Sequence, residues 1–129
     1  TAGEALKGVV NISGINANRL GPWDSLFLKY GKIGENGGSF NLRNNRKESR
    51  FDVKICRKGR PSFTIPKTVY LFHWDRRYFN ITEALVLTGF PPDYKMIGSY
   101  SQCWQRIGNS VAPPMTRAIA KSLMEQNNG

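Results

Sequence analysis

The chain has 129 residues, 40% apolar and 22% charged, with a formal net charge of +10 and a pI near 10.0. The length suits one domain with a modest core or a piece of a larger one, and the composition is that of a globular sequence rather than of a disordered segment. No run approaches the ~20 apolar residues of a membrane span, and no basic-then-apolar leader opens the chain, so a cytosolic protein is expected. Two distant cysteines, Cys56 and Cys103, and a single histidine, His73, argue against a disulfide framework, a zinc knuckle or a transition-metal site built from this chain alone.

In chain order, the first forty residues are rich in Gly, Asn and Ser. Within them 5–12 reads as a short strand and 23–30 as a short apolar element. The Gly34–Ser39 stretch reads as a turn, since Asn-Gly and Gly-Gly accept positive φ cheaply. Its glycines are not a phosphate loop, because no strand–turn–helix frame surrounds them. From Arg50 to Cys56, Phe51, Val53 and Ile55 alternate with Asp52, Lys54 and Cys56, the pattern of a half-buried strand. A basic turn follows at 57–61. The segments 63–65 and 68–72 are β-branched or aromatic and read as two short strands parted by Pro66. Asn80 and Glu83 have the spacing of a capping box, opening a helix that Gly89 and Pro91-Pro92 stop. A second helix begins near Pro113, with Val111, Met115, Ala118, Ile119 and Leu123 on one face. The expected fold is α+β: a small irregular β-rich part followed by two helices.

The charge is concentrated. Residues 41–80 hold eleven basic and three acidic side chains, a net of +8, against +1 on either side. Seven of the eleven are arginines, which suit phosphate forks and guanine edges. Such a segment fits a polyanion whose counterions it displaces, or simply forms a solvated basic face. It does not choose between DNA and RNA. Gly108-Asn109-Ser110 just before the last helix offers either an ordinary cap or an anion-favouring helix N-terminus.

Residues 77–83 (Arg-Tyr-Phe-Asn-Ile-Thr-Glu), 87–91 (Leu-Thr-Gly-Phe-Pro), Asp93-Tyr94, Tyr100 and 105–114 (Gln-Arg-Ile-Gly-Asn-Ser-Val-Ala-Pro-Pro) together resemble the last two conserved blocks of cytosine-5 DNA methyltransferases. The order and the intervening distance also fit. Pro61-Ser-Phe-Thr-Ile65 resembles, more weakly, a Thr-Leu/Ile element of that family's target-recognition domain; residues 1–56 match by position alone.

The resemblance implies a target-recognition, DNA-binding domain over 1–76 and C-terminal helical motifs over 77–129 that complete a methyltransferase domain. The last helix would pack on an absent α/β domain that binds S-adenosylmethionine. Asn109, Ser110 and Val111 would border the methionine end of that cofactor. Thr64 would contact DNA backbone near a flipped nucleotide. Arg57, Lys58 and Arg60 would form a major-groove loop, and Arg43, Arg46, Lys47 and Arg50 would track phosphates or form a second loop. Arg77 and Glu83 are read as structural, His73 as a strand-end residue, and Trp74, Trp104, Phe79, Leu85 and Phe90 as core.

The family's catalytic Pro-Cys, its Glu-Asn-Val element and its main cofactor loop are missing from these 129 residues. No catalytic residue and no metal ligand is therefore assigned. Activity is expected only with an N-terminal catalytic half, whether the chain is a natural subunit or a fragment. Two alternatives stay open: a stand-alone DNA-binding module derived from such an enzyme, and an RNA-directed relative. Exposure of Met115, Ile119 and Leu123 would separate a missing partner from autonomy. A prokaryotic or phage cytoplasm, on DNA, is the expected setting.

Overall fold

Helix starts in this chain are written locally. In the computed structural model, which describes residues 1–68 and 71–129, Thr1 caps α1 (Ala2–Ala5), Asn36 caps α3 (Gly37–Arg43), Asn80 caps α4 (Ile81–Thr88) and Ser99 caps α5 (Tyr100–Asn109). In α1, α4 and α5 the acid or amide three residues on returns a bond to the cap backbone, closing a capping box. Pro22 opens α2 (Pro22–Tyr30) and Pro113 opens α6 (Pro113–Asn127), where the missing N–H costs nothing. Gly89, at φ 87, ends α4 in the left-handed conformation that glycine alone adopts without strain.

Three short strands, β1 (Lys54–Ile55), β2 (Leu71–His73) and β3 (Arg77–Tyr78), form one sheet in the order β1-β2-β3. β1 runs parallel to β2, with Ile55 opposite Phe72, and β2 pairs antiparallel with β3 through Phe72↔Tyr78 and His73↔Arg77. Arg76, at φ 61 in the β2–β3 turn, donates to the carbonyls of Leu28 and Gly31 and so closes the C-terminal end of α2.

Two apolar clusters flank the sheet. One joins Phe27, Leu28, Phe40, Val53, Ile55 and Phe72, tying α2 and α3 to β1 and β2. The other gathers Leu85 of α4 and Tyr100, Cys103, Trp104 and Ile107 of α5, with Phe79 from the segment after β3, around Cys56 and Leu71. Tyr78 packs against both, and its hydroxyl donates to Asp24 Oδ2 at 3.1 Å. Trp74 and Phe90 lie half-buried at the edge of the second cluster.

The α+β class holds, but the distribution of elements differs from the expectation. Residues 5–12 form no strand: α1 ends at Ala5 and the chain turns through Gly8 at φ 77. The apolar element at 23–30 is a nine-residue helix, and the glycine-rich turn becomes α3, because the Asn36 side chain takes the Ser39 N–H at 2.8 Å. The strand expected from Arg50 shrinks to Lys54–Ile55. Phe51 sits in a turn facing solvent while Cys56 is buried, so the alternation mistook both ends. Residues 63–65 are irregular. Of the strand expected at 68–72, Leu71 and Phe72 lie in β2, while Val69 and Tyr70 lie outside the described residues. Three helices rather than two follow β3. Gly108 and Asn109 are the last turn of α5, so the Gly-Asn-Ser element closes one helix instead of opening the next.

Candidate functional site

Two segments distant in sequence meet at one cavity of about 610 Å³. Phe63, Thr64 and Ile65 line one side; Ser110, Val111 and Met115 line the other. The meeting is enforced from α5. The Trp104 indole N–H is shared between the carbonyls of Pro66, at 2.8 Å, and Thr68, at 2.9 Å, which holds the chain just beyond Thr64. Gly108 comes so close to the same segment that a Cβ there would lie 2.5 Å from Pro66 O and 2.6 Å from Lys67 N. Only a glycine permits that approach.

The polar groups at the cavity are few. Thr64 is exposed, and the Ser110 hydroxyl donates to Ile107 O at 2.6 Å, fixing the turn between α5 and α6. Asn109 points its residue surface to solvent, and Val111 is also exposed. Neither cysteine is available as a nucleophile: burial pushes the thiols of Cys56 and Cys103 up. Among the described residues no cluster of His, Cys, Asp and Glu could hold a metal ion.

The chain matches the model of the C-5 cytosine-specific DNA methylase family over residues 7–125. It belongs to that family. Relatives include the type II methyltransferase M.BsuFI of Bacillus subtilis, 42% identical over 50 residues, which are 39% of this chain and 12% of that protein. The DNA (cytosine-5)-methyltransferase CMT3 of Arabidopsis thaliana is 40% identical over 47 residues, 36% of this chain and 6% of the plant protein. The type II methyltransferase M1.HphI of Haemophilus parahaemolyticus is 31% identical over 58 residues, 44% of this chain and 16% of the relative. The aligned stretches thus span no more than 16% of these relatives. No solved structure matches the chain.

In this C-5 methylase chain the basic residues singled out from sequence are not equivalent. Arg57, Lys58 and Arg60 are exposed around a turn. That turn is docked on the start of α1, where the N–H groups of Ala2 and Gly3 donate to the carbonyls of Arg60 and Lys58. The Arg57 side chain lies over the bare backbone of Gly34. Arg43 is held by Glu35 through a 2.8 Å ion pair, whereas Arg50 stacks on Trp23 with its guanidinium 4.4 Å from the ring. Arg46 and Lys47 are exposed.

Arg77 grips Glu83 with two hydrogen bonds of 2.9 and 2.7 Å. Burial pushes the Glu83 carboxyl up, but Arg77 and the Asn80 N–H outweigh it and hold the group below the ordinary carboxylate range. His73, buried at the end of β2, accepts the Asp75 N–H on Nδ1 at 3.0 Å, and its Nε2 lies 3.8 Å from Glu83. Burial, then the charge of Arg77, lowers its pKa below the usual histidine value. This constellation packs β3 against α4.

Sequence reasoning missed α5 as a helix and missed Trp104 as the group that unites the site. The signal was present: Tyr100, Cys103, Trp104 and Ile107 follow the i, i+3, i+4, i+7 spacing behind a Ser99–Gln102 capping box. Among the described residues no helix is long and apolar enough to cross a membrane.

Proposed function

We propose that this chain is the C-terminal portion or subunit of a DNA (cytosine-5-)-methyltransferase. In this reading residues 1–76 recognise double-stranded DNA, and residues 77–129 complete an S-adenosylmethionine site begun on an N-terminal catalytic half. The observation that carries it is the shared cavity: the recognition-like Thr64 segment and the Ser110–Val111 turn line one concavity, as a site between DNA and cofactor requires.

The residues present fit part of the cofactor. Val111 and Met115 would offer apolar surface to the methylene chain of the methionine moiety, and the Ser110 turn would offer polar groups to its amino-acid end. When bound, S-adenosylmethionine supplies the methyl group. In this reading the adenosine is held by the other half. This chain's own residues then orient: Thr64 against DNA backbone, Asn109 and Ser110 against the cofactor's polar end, and Arg57, Lys58, Arg60, Arg46, Lys47, Arg50 and Arg43 along the duplex.

The apolar face of α6 favours this reading over an autonomous DNA-binding module. Met115, Ile119 and Leu123 are 59%, 50% and 55% exposed, and no residue of α6 is buried. A row of this kind asks for a covering surface.

The test is methyl transfer from labelled S-adenosylmethionine to mixed-sequence DNA, with this chain alone and with the N-terminal half of a C-5 methylase. Transfer only in the mixture is expected. Transfer by this chain alone would contradict the account of the missing nucleophile. Sequence-selective DNA binding without transfer in either sample would point to the binding module, and transfer to tRNA rather than DNA to the RNA-directed relative.

A further inference from the structure

The segment from α3 to β1 carries an apolar pair in a cationic setting. Leu42 is 67% exposed on α3, and Phe51, in the turn before β1, is 52% exposed. Both line one concavity of about 450 Å³ whose rim includes Arg46, Lys47 and Glu48. Phe51 lies flat on Gly38, one helical turn before Leu42. A Cβ at Gly38 would stand 2.5 Å from the ring, so glycine is what seats it.

The intervening loop is held rather than loose. Asn41, fully buried, accepts the Trp23 indole N–H at 3.0 Å, donates to Glu48 O at 2.9 Å, and through its backbone carbonyl accepts the Arg46 N–H at 2.8 Å. Arg50 is stacked on Trp23. Among the described residues no carboxylate lies within ion-pairing distance of Arg46, Lys47 or Arg50. Residues 43–52 include four basic side chains against Glu48 and Asp52, a net of +2.

Cations beside a preorganised apolar patch match the major groove, where phosphates flank the base edges and the one apolar feature displayed is the thymine 5-methyl group. We propose that Leu42 and Phe51 form an apolar reader for a thymine methyl in duplex DNA, with Arg46 and Lys47 on the adjacent phosphates. The inference rests on the reading that residues 1–76 contact DNA, and it adds the two residues there that choose a base. The alternation places Phe51 in a half-buried strand; its exposure in a turn beside basic residues is what brings it forward.

The experiment uses the 129-residue chain. Binding sites are first selected from a randomised duplex pool. Affinity for the selected duplex is then compared with duplexes in which each thymine in turn is replaced by uracil, which removes only the methyl group. One replacement is expected to weaken binding about three- to tenfold. Phe51→Ala or Leu42→Ala should weaken binding to a similar extent and become indifferent to that same replacement. Both side chains are exposed, and circular dichroism checks that each variant is folded. Selective, salt-dependent binding with no thymine effect, or a thymine effect unchanged in both variants, overturns the inference and leaves the DNA reading standing. No DNA binding at all overturns both. Variants that keep DNA affinity but abolish transfer in the reconstituted enzyme would assign the patch to a protein contact, which also overturns the inference.

Discussion

Helices α5 and α6 follow one another in the chain, both carry an apolar face, and they meet opposite fates. In α5 the face is fully used: Tyr100, Cys103, Trp104 and Ile107 are buried, and both Tyr100 and Trp104 satisfy their polar atoms on backbone carbonyls. In α6 Met115, Ile119 and Leu123 follow one another at i, i+4 and i+8 and remain at least half exposed. The difference teaches that an apolar stripe reports that a helix packs, not where its neighbour is encoded. For α5 the neighbour is this chain's sheet and α4. For α6 no such neighbour lies among the described residues, and the proposed function assigns that role to the N-terminal half.

The comparison breaks most readily at Trp104. Trp104→Ala removes a fully buried ring and leaves two carbonyls without their donor, and should cost about 3–5 kcal/mol, enough to unfold much of the population. Urea denaturation followed by far-ultraviolet circular dichroism measures it. An unaltered midpoint would mean that α5 is no more anchored than α6.

Arg77→Met comes next. It leaves the buried Glu83 carboxylate with only the Asn80 N–H. Breaking a buried pair is expensive, but Arg77 is 43% exposed and water screens part of the loss. A destabilisation of about 2 kcal/mol is expected by the same measurement.

The pH profile separates the interior from the arm at smaller amplitude. Both His73 and Glu83 have lowered pKa values in the fold. A lowered value means that the unfolded chain binds the proton first, so stability is present at higher pH and lost on acidification. Below the ordinary histidine value of 6.5, His73 begins the loss. Glu83 extends it as pH falls from 4.5 through its folded value. His73→Gln should remove the loss just below pH 6.5 and keep the more acidic one. A flat profile in the parent chain from pH 8 to 4 would refute the assignment.

The smallest effect is expected on α6. Ile119→Ser with Leu123→Ser should change the stability of the isolated chain by less than about 0.5 kcal/mol. The same double variant should abolish methyl transfer in the mixture with an N-terminal half. A large loss of stability in the isolated chain would show that α6 packs at home after all.

The sequence made the short-range part of this fold legible and left the long-range part obscure. The Asn80–Glu83 capping box, its Gly89 stop and the Pro113 start each depend on residues within a turn of one another, and each is present. α5 is legible by the same rules, since its capping box and its apolar spacing all lie between Ser99 and Ile107. Phe51 misled because a strand pattern fixes sides only while the strand lasts, and this one begins at Lys54. That 61–65 and 108–111 resemble family elements was visible in the sequence. That they face each other was not, since the indole bridging them lies 36 to 38 residues from its acceptors. Which of the arginines is neutralised was equally hidden, because Glu35 lies in the sparsely charged first forty residues.

Gly89 has one more bearing on α6. Any larger residue there would drive a Cβ to 2.6 Å from the Pro114 ring, so the base of the last helix is seated against the end of α4. The helix has fifteen residues, each rising about 1.5 Å, so from that seat at its first turn it extends roughly 20 Å. Such an arm is a cantilever clamped at one end. On the proposed reading, a surface docking on α6 would meet a helix already seated at its base and would spend less of its binding energy on ordering it.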